Sequence, residues 1–136
     1  MRRLIIPVLA VTLIAGCTHE APTEDIDKAA AQFFQRLEAA QYDQIYDHAD
    51  ENLKDQKPRA AVVEDLQKLI AYGRPQEWHR LSMTLGTEKV DKRVAVPVYA
   101  LRTDNLTSEV SLKFIDADGE WKLLGFAVRP RIGGQP

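Results

Sequence analysis

The chain has 136 residues, 45% of them hydrophobic and 28% charged, which is enough for one ordinary globular domain with a core and too few for two. Its 18 basic and 20 acidic residues give a formal charge of −2 and exclude the excess of Lys and Arg on which nucleic-acid binding rests. A single cysteine excludes a disulfide scaffold, since it cannot pair within the chain.

Residues 1–16 open with Arg2 and Arg3 and continue as an apolar run from Leu4 to Ala15, broken only by Thr12. That is the layout of an export leader, and the run is shorter than the roughly 20 residues that span a hydrocarbon core. It closes on Leu13-Ile14-Ala15-Gly16-Cys17, which resembles the lipobox of bacterial lipoproteins. The resemblance implies that residues 1–16 are a lipoprotein signal peptide and that the mature chain starts at Cys17, whose thiol carries the lipid. It places the protein in a bacterial cell envelope. Thr18, where inner-membrane retention would use Asp, implies the outer membrane, facing the periplasm. Loss of Arg2 and Arg3 with the leader leaves 16 basic against 20 acidic residues, a formal charge of −4. Membrane contact then rests on the anchor rather than on attraction to anionic headgroups.

Residues 17–23 read as the acylated cysteine and a tether, because they lack apolar periodicity and contain Pro22. A domain is expected over 24–129. Ile26, Ala30, Phe33, Leu37 and Ala40 recur at helical spacing, with Thr23 as a cap and Glu24 and Asp25 at the positive end of the dipole. A second helix is expected from about Asp43, turning Tyr42, Ile45, Tyr46, Ala49 and Leu53 inward. Pro58 marks the start of a third, which carries Val62, Leu66, Leu69 and Ile70 and ends at Gly73 and Pro75.

Beyond Pro75 the period changes to two. The first strand, Trp78 to Thr87, alternates His79, Leu81, Met83 and Leu85 with Trp78, Arg80, Ser82 and Thr84. The second, Val94 to Thr103, contains Pro97 and is therefore expected at a sheet edge or at a bulge. In the third, Leu106, Ser108, Val110, Leu112 and Phe114 share the inner face. Asp118-Gly119 forms a tight turn. The fourth, Trp121 to Val128, is apolar on both faces and is expected inside the sheet. Residues 130–136 have no pattern and read as a flexible tail.

The order predicts an α+β domain, with three N-terminal helices packed on a curved four-stranded antiparallel sheet. Two motifs, Ala29-Ala30-x-x-Phe33-Phe34-x-x-Leu37-x-x-x-x-Tyr42 and Asp118-Gly119-x-Trp121-Lys122-Leu123-x-Gly125-Phe126, resemble secreted domains of the nuclear transport factor 2-like superfamily. The resemblance covers Ile26 to Val128. It implies a cone of helices over a bent sheet with a pocket at the wide end. Isomerases, dehydratases and cyclases share that cone with many non-catalytic binding or dimerising domains, so the fold leaves function open.

In catalytic relatives an acid or a histidine, often with a tyrosine, lines the cone. Here the inward phase supplies Met83, Val96, Leu112 and Phe114, which join Phe33, Leu37 and Tyr46 as pocket candidates. Only His79 and Tyr46 can move a proton. The alternative to catalysis is a His79 exposed at a strand end and a Tyr46 in the core with a wet hydroxyl. Asp43, Asp47, His48, Asp50 and Glu51 cluster, but metal cages usually draw ligands from a loop or from several elements, and a solvated acidic face accounts for the group. His19, His48 and His79 lack zinc-ligand spacing, and no sequence motif for a cofactor is present. Trp78 and Tyr99, on the predicted outer face, are interface candidates or cross-strand neighbours. Two classes of function follow. One is a non-catalytic lipoprotein that binds a small apolar ligand, an envelope protein or a second copy of itself. The other is a small lyase or isomerase using His79 and Tyr46.

Overall fold

The computed structural model describes residues 23–89 and 92–131. The leader, Cys17 and the tether up to Pro22 lie outside the described residues, as do 132–136 of the expected tail. Four α-helices precede four strands: α1 Thr23–Glu38, α2 Tyr42–Asp47, α3 Glu51–Gln56, α4 Arg59–Leu69, then β1 Glu77–Lys89, β2 Lys92–Arg102, β3 Thr107–Ala117 and β4 Glu120–Arg131. The strands form one antiparallel meander in the order β1-β2-β3-β4. No helix among the described residues is long and apolar enough to cross a membrane.

The stripe predicted for α1 buries Ile26, Ala30, Phe33, Phe34 and Leu37 against the sheet. The helix ends at Ala40, whose φ of 56° is left-handed, with the Gln41 N–H donating back to the Arg36 carbonyl at 2.8 Å. The expected second helix is two. Asp50, buried and extended, interrupts it and accepts from the Asn52 N–H at 2.9 Å, capping α3. Its own N–H donates to the Leu123 carbonyl at 2.9 Å, tying the helices to β4. After α4 a single 3-10 turn, Ile70–Tyr72, leads to Gly73. There φ is +125°, and a Cβ would stand 3.0 Å from the Asp104 nitrogen, so glycine is required twice over.

In the sheet, β3 has its predicted phase, with Ser108, Val110, Leu112 and Phe114 buried and Thr107, Glu109, Ser111 and Lys113 less so. Asp118 and Gly119 form the predicted turn with φ of 55° and 88°, the pair of positive values a two-residue hairpin of the favoured twist needs. The phases of β2, and of β1 before its bulge, are the reverse of the expectation. Ala95, Pro97, Tyr99 and Leu101 point to the helices, while Val96 and Val98 lie on the outer face. On β1 a bulge between Arg80 and Ser82 shifts the alternation within the strand. Trp78 and Arg80 therefore face inward before it, Met83 faces inward after it, and Leu81 is 43% exposed.

Pro97 lies in an interior strand, not at an edge. Its missing N–H is accommodated where the β2–β3 ladder lapses, between Ala95↔Phe114 and Val98↔Ser111. Nor is β4 interior: it is the edge next to β3, and it runs past Val128 to Arg131. Its two-sided apolar character arises because Leu123 and Phe126 pack inward, whereas a bulge opposite Lys113/Phe114 sets Leu124 apart and Val128 stands 37% exposed.

Candidate functional site

The cone interior is filled by aromatic rings. Phe34 stacks on Trp78 at 5.0 Å between centroids and meets Tyr99 edge-on at 5.4 Å, while Phe33 meets Phe34 at 5.4 Å and Phe126 at 5.9 Å. Leu37, Leu112 and Phe114 close the space around them. Among the pocket candidates, then, Leu37, Leu112 and Phe114 are core. Met83 packs on the core from β1, and Val96 lines a shallow outer-face depression with Thr84 and Lys113. They do not line one pocket.

Trp78 and Tyr99 are not outer-face residues either, because the reversed strand phases turn both toward α1. The Tyr99 hydroxyl donates to Asp27 at 2.8 Å, and Arg80 Nε stands 3.6 Å from the same carboxylate. Burial first, then the bond to Asp27, pushes the phenol far above its ordinary range. None of the cavities described here is lined by this group.

His79 is exposed, in register with Ala100 and, across β2, with Glu109 on the outer face. Tyr46 sits among the helices. Its hydroxyl donates toward the Lys54 and Lys57 carbonyls at 3.4 and 3.2 Å, and the Arg59 guanidinium covers its ring at 4.8 Å. The two residues lie on opposite sides of the sheet and share no site. The acidic cluster is an ion-pair network. Arg59 reaches Asp43 at 3.1 Å and Asp47 at 2.6 Å, and its hydrogen bond holds the Asp47 carboxyl below the usual range. Among the described residues no group of three or more His, Cys, Asp or Glu side chains is placed to hold a metal ion.

Among the described residues, two spaces border core residues of the helices, besides depressions beside Lys113 and between Val98 and Ala127. A small one of about 50 Å³, between α1, α2 and the start of β4, is walled by Phe33, Ile45 and Trp121, with Arg36 and His48 at its side. The His48 Nδ1 lies 2.8 Å from the Gln44 carbonyl. The larger, about 300 Å³, is a groove between α3, α4 and β4. Leu53 and Val62 form its helical wall, consecutive residues 124–128 form its floor, and Lys57, Asp65 and Lys68 stand at its rim. Lys57 is held by Asp65 at 3.0 Å and Lys68 lies 3.5 Å from Glu64, so the rim is balanced in charge and the groove's character is apolar. The apolarity of Leu124 and Phe126 was visible in the sequence. That they floor a groove was not, because it depends on β4 being the edge.

No family model and no curated protein sequence matches this chain. Among solved structures it is similar to a protein from Novosphingobium aromaticivorans DSM 12444 assigned as a scytalone dehydratase, at 13% identity and a TM-score of 0.50, over 81% of this chain and 84% of that one. At that identity the likeness speaks for the fold alone. Helices packed against a four-stranded antiparallel sheet give this chain a nuclear transport factor 2-like α+β cone fold.

Proposed function

We propose that the domain is a non-catalytic binding module, held at a bacterial envelope by a lipid on Cys17, and that its ligand or partner enters the groove between α3, α4 and β4. The observation that carries this reading is the contrast between a cone interior filled by Phe33, Phe34, Trp78 and Tyr99 and an open apolar groove beside it. Acid–base catalysis requires a titratable group within reach of a bound reacting atom. His79 and Tyr46, the pair a lyase or isomerase would use, lie apart, and the Tyr46 hydroxyl is engaged by main-chain carbonyls. An apolar groove with a few polar rim groups is the usual form of a binding site. The anchor is supported by Leu13-Ile14-Ala15-Gly16-Cys17, and the outer membrane by Thr18.

The test is in-cell photo-cross-linking from benzoylphenylalanine at position 128 and, as a control, at position 79, with palmitate labelling followed in parallel. A discrete adduct from 128 and none from 79 is expected, with labelling lost in Cys17→Ser. No adduct from 128 would overturn the groove, and labelling that persists without Cys17 would overturn the anchor.

A further inference from the structure

The floor of the groove is made of five residues in a row, 124–128. Side chains alternate between the two faces of a strand, so a space that touches consecutive residues must run along the strand's edge, where the backbone is presented. That edge is free of sheet partners, since β4 is the last strand of the order.

Which backbone groups face outward follows from the register. In an antiparallel pair, opposed residues alternate between exchanging both hydrogen bonds and exchanging none. Ser108↔Pro130 cannot exchange both, because proline has no N–H. Counting back by two, Val110↔Val128 and Leu112↔Phe126 are also unbonded pairs, so Val128 and Phe126 turn their N–H and C=O groups to the free edge. Two independent observations agree. The Leu123 carbonyl points outward to the Asp50 N–H, and the extra residue at Leu124 restores the phase at Phe126. On the other side, Pro97 falls opposite Leu112, where a bonded β2–β3 pair is due, and there the ladder lapses. Among the described residues no loop or helix backbone group bonds to 124–128.

We propose that this groove binds a short extended peptide of another protein, added as a fifth strand on β4. The proposal rests on the reading that the groove is the binding site, and names what enters it. The peptide's backbone pairs with Phe126 and Val128, and its alternate side chains enter the apolar space between Leu53, Val62 and Phe126. A second copy of this chain fits less well. The α3 cap at Leu123 closes the edge at one end and Pro130 at the other, leaving a run of about 17 Å at strand rise. Self-pairing over that run is far from the roughly 800 Å² per partner of a stable interface. A single short strand needs no more.

The experiment uses the leaderless chain with Cys17→Ser and a fluorescent heptapeptide of alternating Thr and Val, beside the same peptide N-methylated at alternate residues. Saturable binding of the first is expected, with hydrogen-exchange protection at Phe126 and Val128. N-methylation on the edge-facing register, and Val128→Pro in the protein, should each weaken it about tenfold or more by removing backbone hydrogen bonds. Val128→Pro should leave the melting temperature nearly unchanged, because its N–H points away from β3, whereas Ala127→Pro should lower it. Equal binding of the N-methylated peptide, or equal binding by Val128→Pro, would overturn strand addition. So would protection of 126 and 128 that depends on protein concentration alone, which would assign the edge to a second copy. A non-peptide adduct from position 128 in cells would leave the groove standing and remove the peptide.

Discussion

Tyr99 shows how one side chain can be apolar in packing and polar in function within the same wall. Its ring lies against Phe34 and its hydroxyl reaches Asp27, so the phenol is stable there only with its proton. In an unfolded chain a tyrosine titrates near 10, while in the fold this one holds its proton well beyond that. Above about pH 10 the unfolded state therefore binds fewer protons than the native state, and stability falls as pH rises. Tyr99→Phe should cost about 1 kcal/mol near neutral pH for the lost hydrogen bond and should flatten the decline above pH 10. Urea titrations from pH 8 to 11 measure both; an unchanged alkaline slope would remove Tyr99 as its source. Tyr46 is the opposite case, a phenol that stitches α2 to the end of α3 through main-chain carbonyls.

At the scale of elements, one buried carboxylate decides where a helix breaks. Asp50 accepts from Asn52 through its side chain and donates to Leu123 through its backbone, so it caps α3 and docks it on β4. Asp50→Ala should destabilise the domain by about 1–2 kcal/mol in urea unfolding, and Asp50→Asn, which keeps a capping oxygen, by much less. Periodicity made α1, α4, the change of period after Pro75 and the phase of β3 legible, since each is a regular element with one buried face. It failed on β1 and β2 for a local reason. The single residue inserted near Leu81 reverses alternation within one strand, and small or polar-tipped residues on β2, Ala95, Pro97 and Tyr99, hold the inner face while the branched Val96 and Val98 lie outside. The interface assignment of Trp78 and Tyr99 and the pocket assignment of Val96 inherited that inverted phase. The place of β4 at the edge is a property of sheet order, which no single strand's composition encodes.

Across the whole molecule, the core is centred on α1. Phe34 is fully buried among three rings, whereas Trp121 is partly buried beside the small cavity, with the Arg93 guanidinium 5.6 Å from its ring centre. Phe34→Ala should therefore cost about 3–5 kcal/mol and Trp121→Ala nearer 1–2 kcal/mol, by chemical denaturation. Equal losses would mean that the indole carries as much of the core as the phenyl ring. The order of elements has a consequence for how the molecule is made. All four helices precede all four strands, so a chain emerging amino end first presents the apolar stripe of α1 before any strand exists to cover it. Phe33 meets Phe126, and Asp50 meets Leu123, only once the last strand is complete. Nascent chains with exposed apolar surface aggregate, so in this topology the stripe of α1 is the surface that stays open to aggregation longest, until β4 has been made.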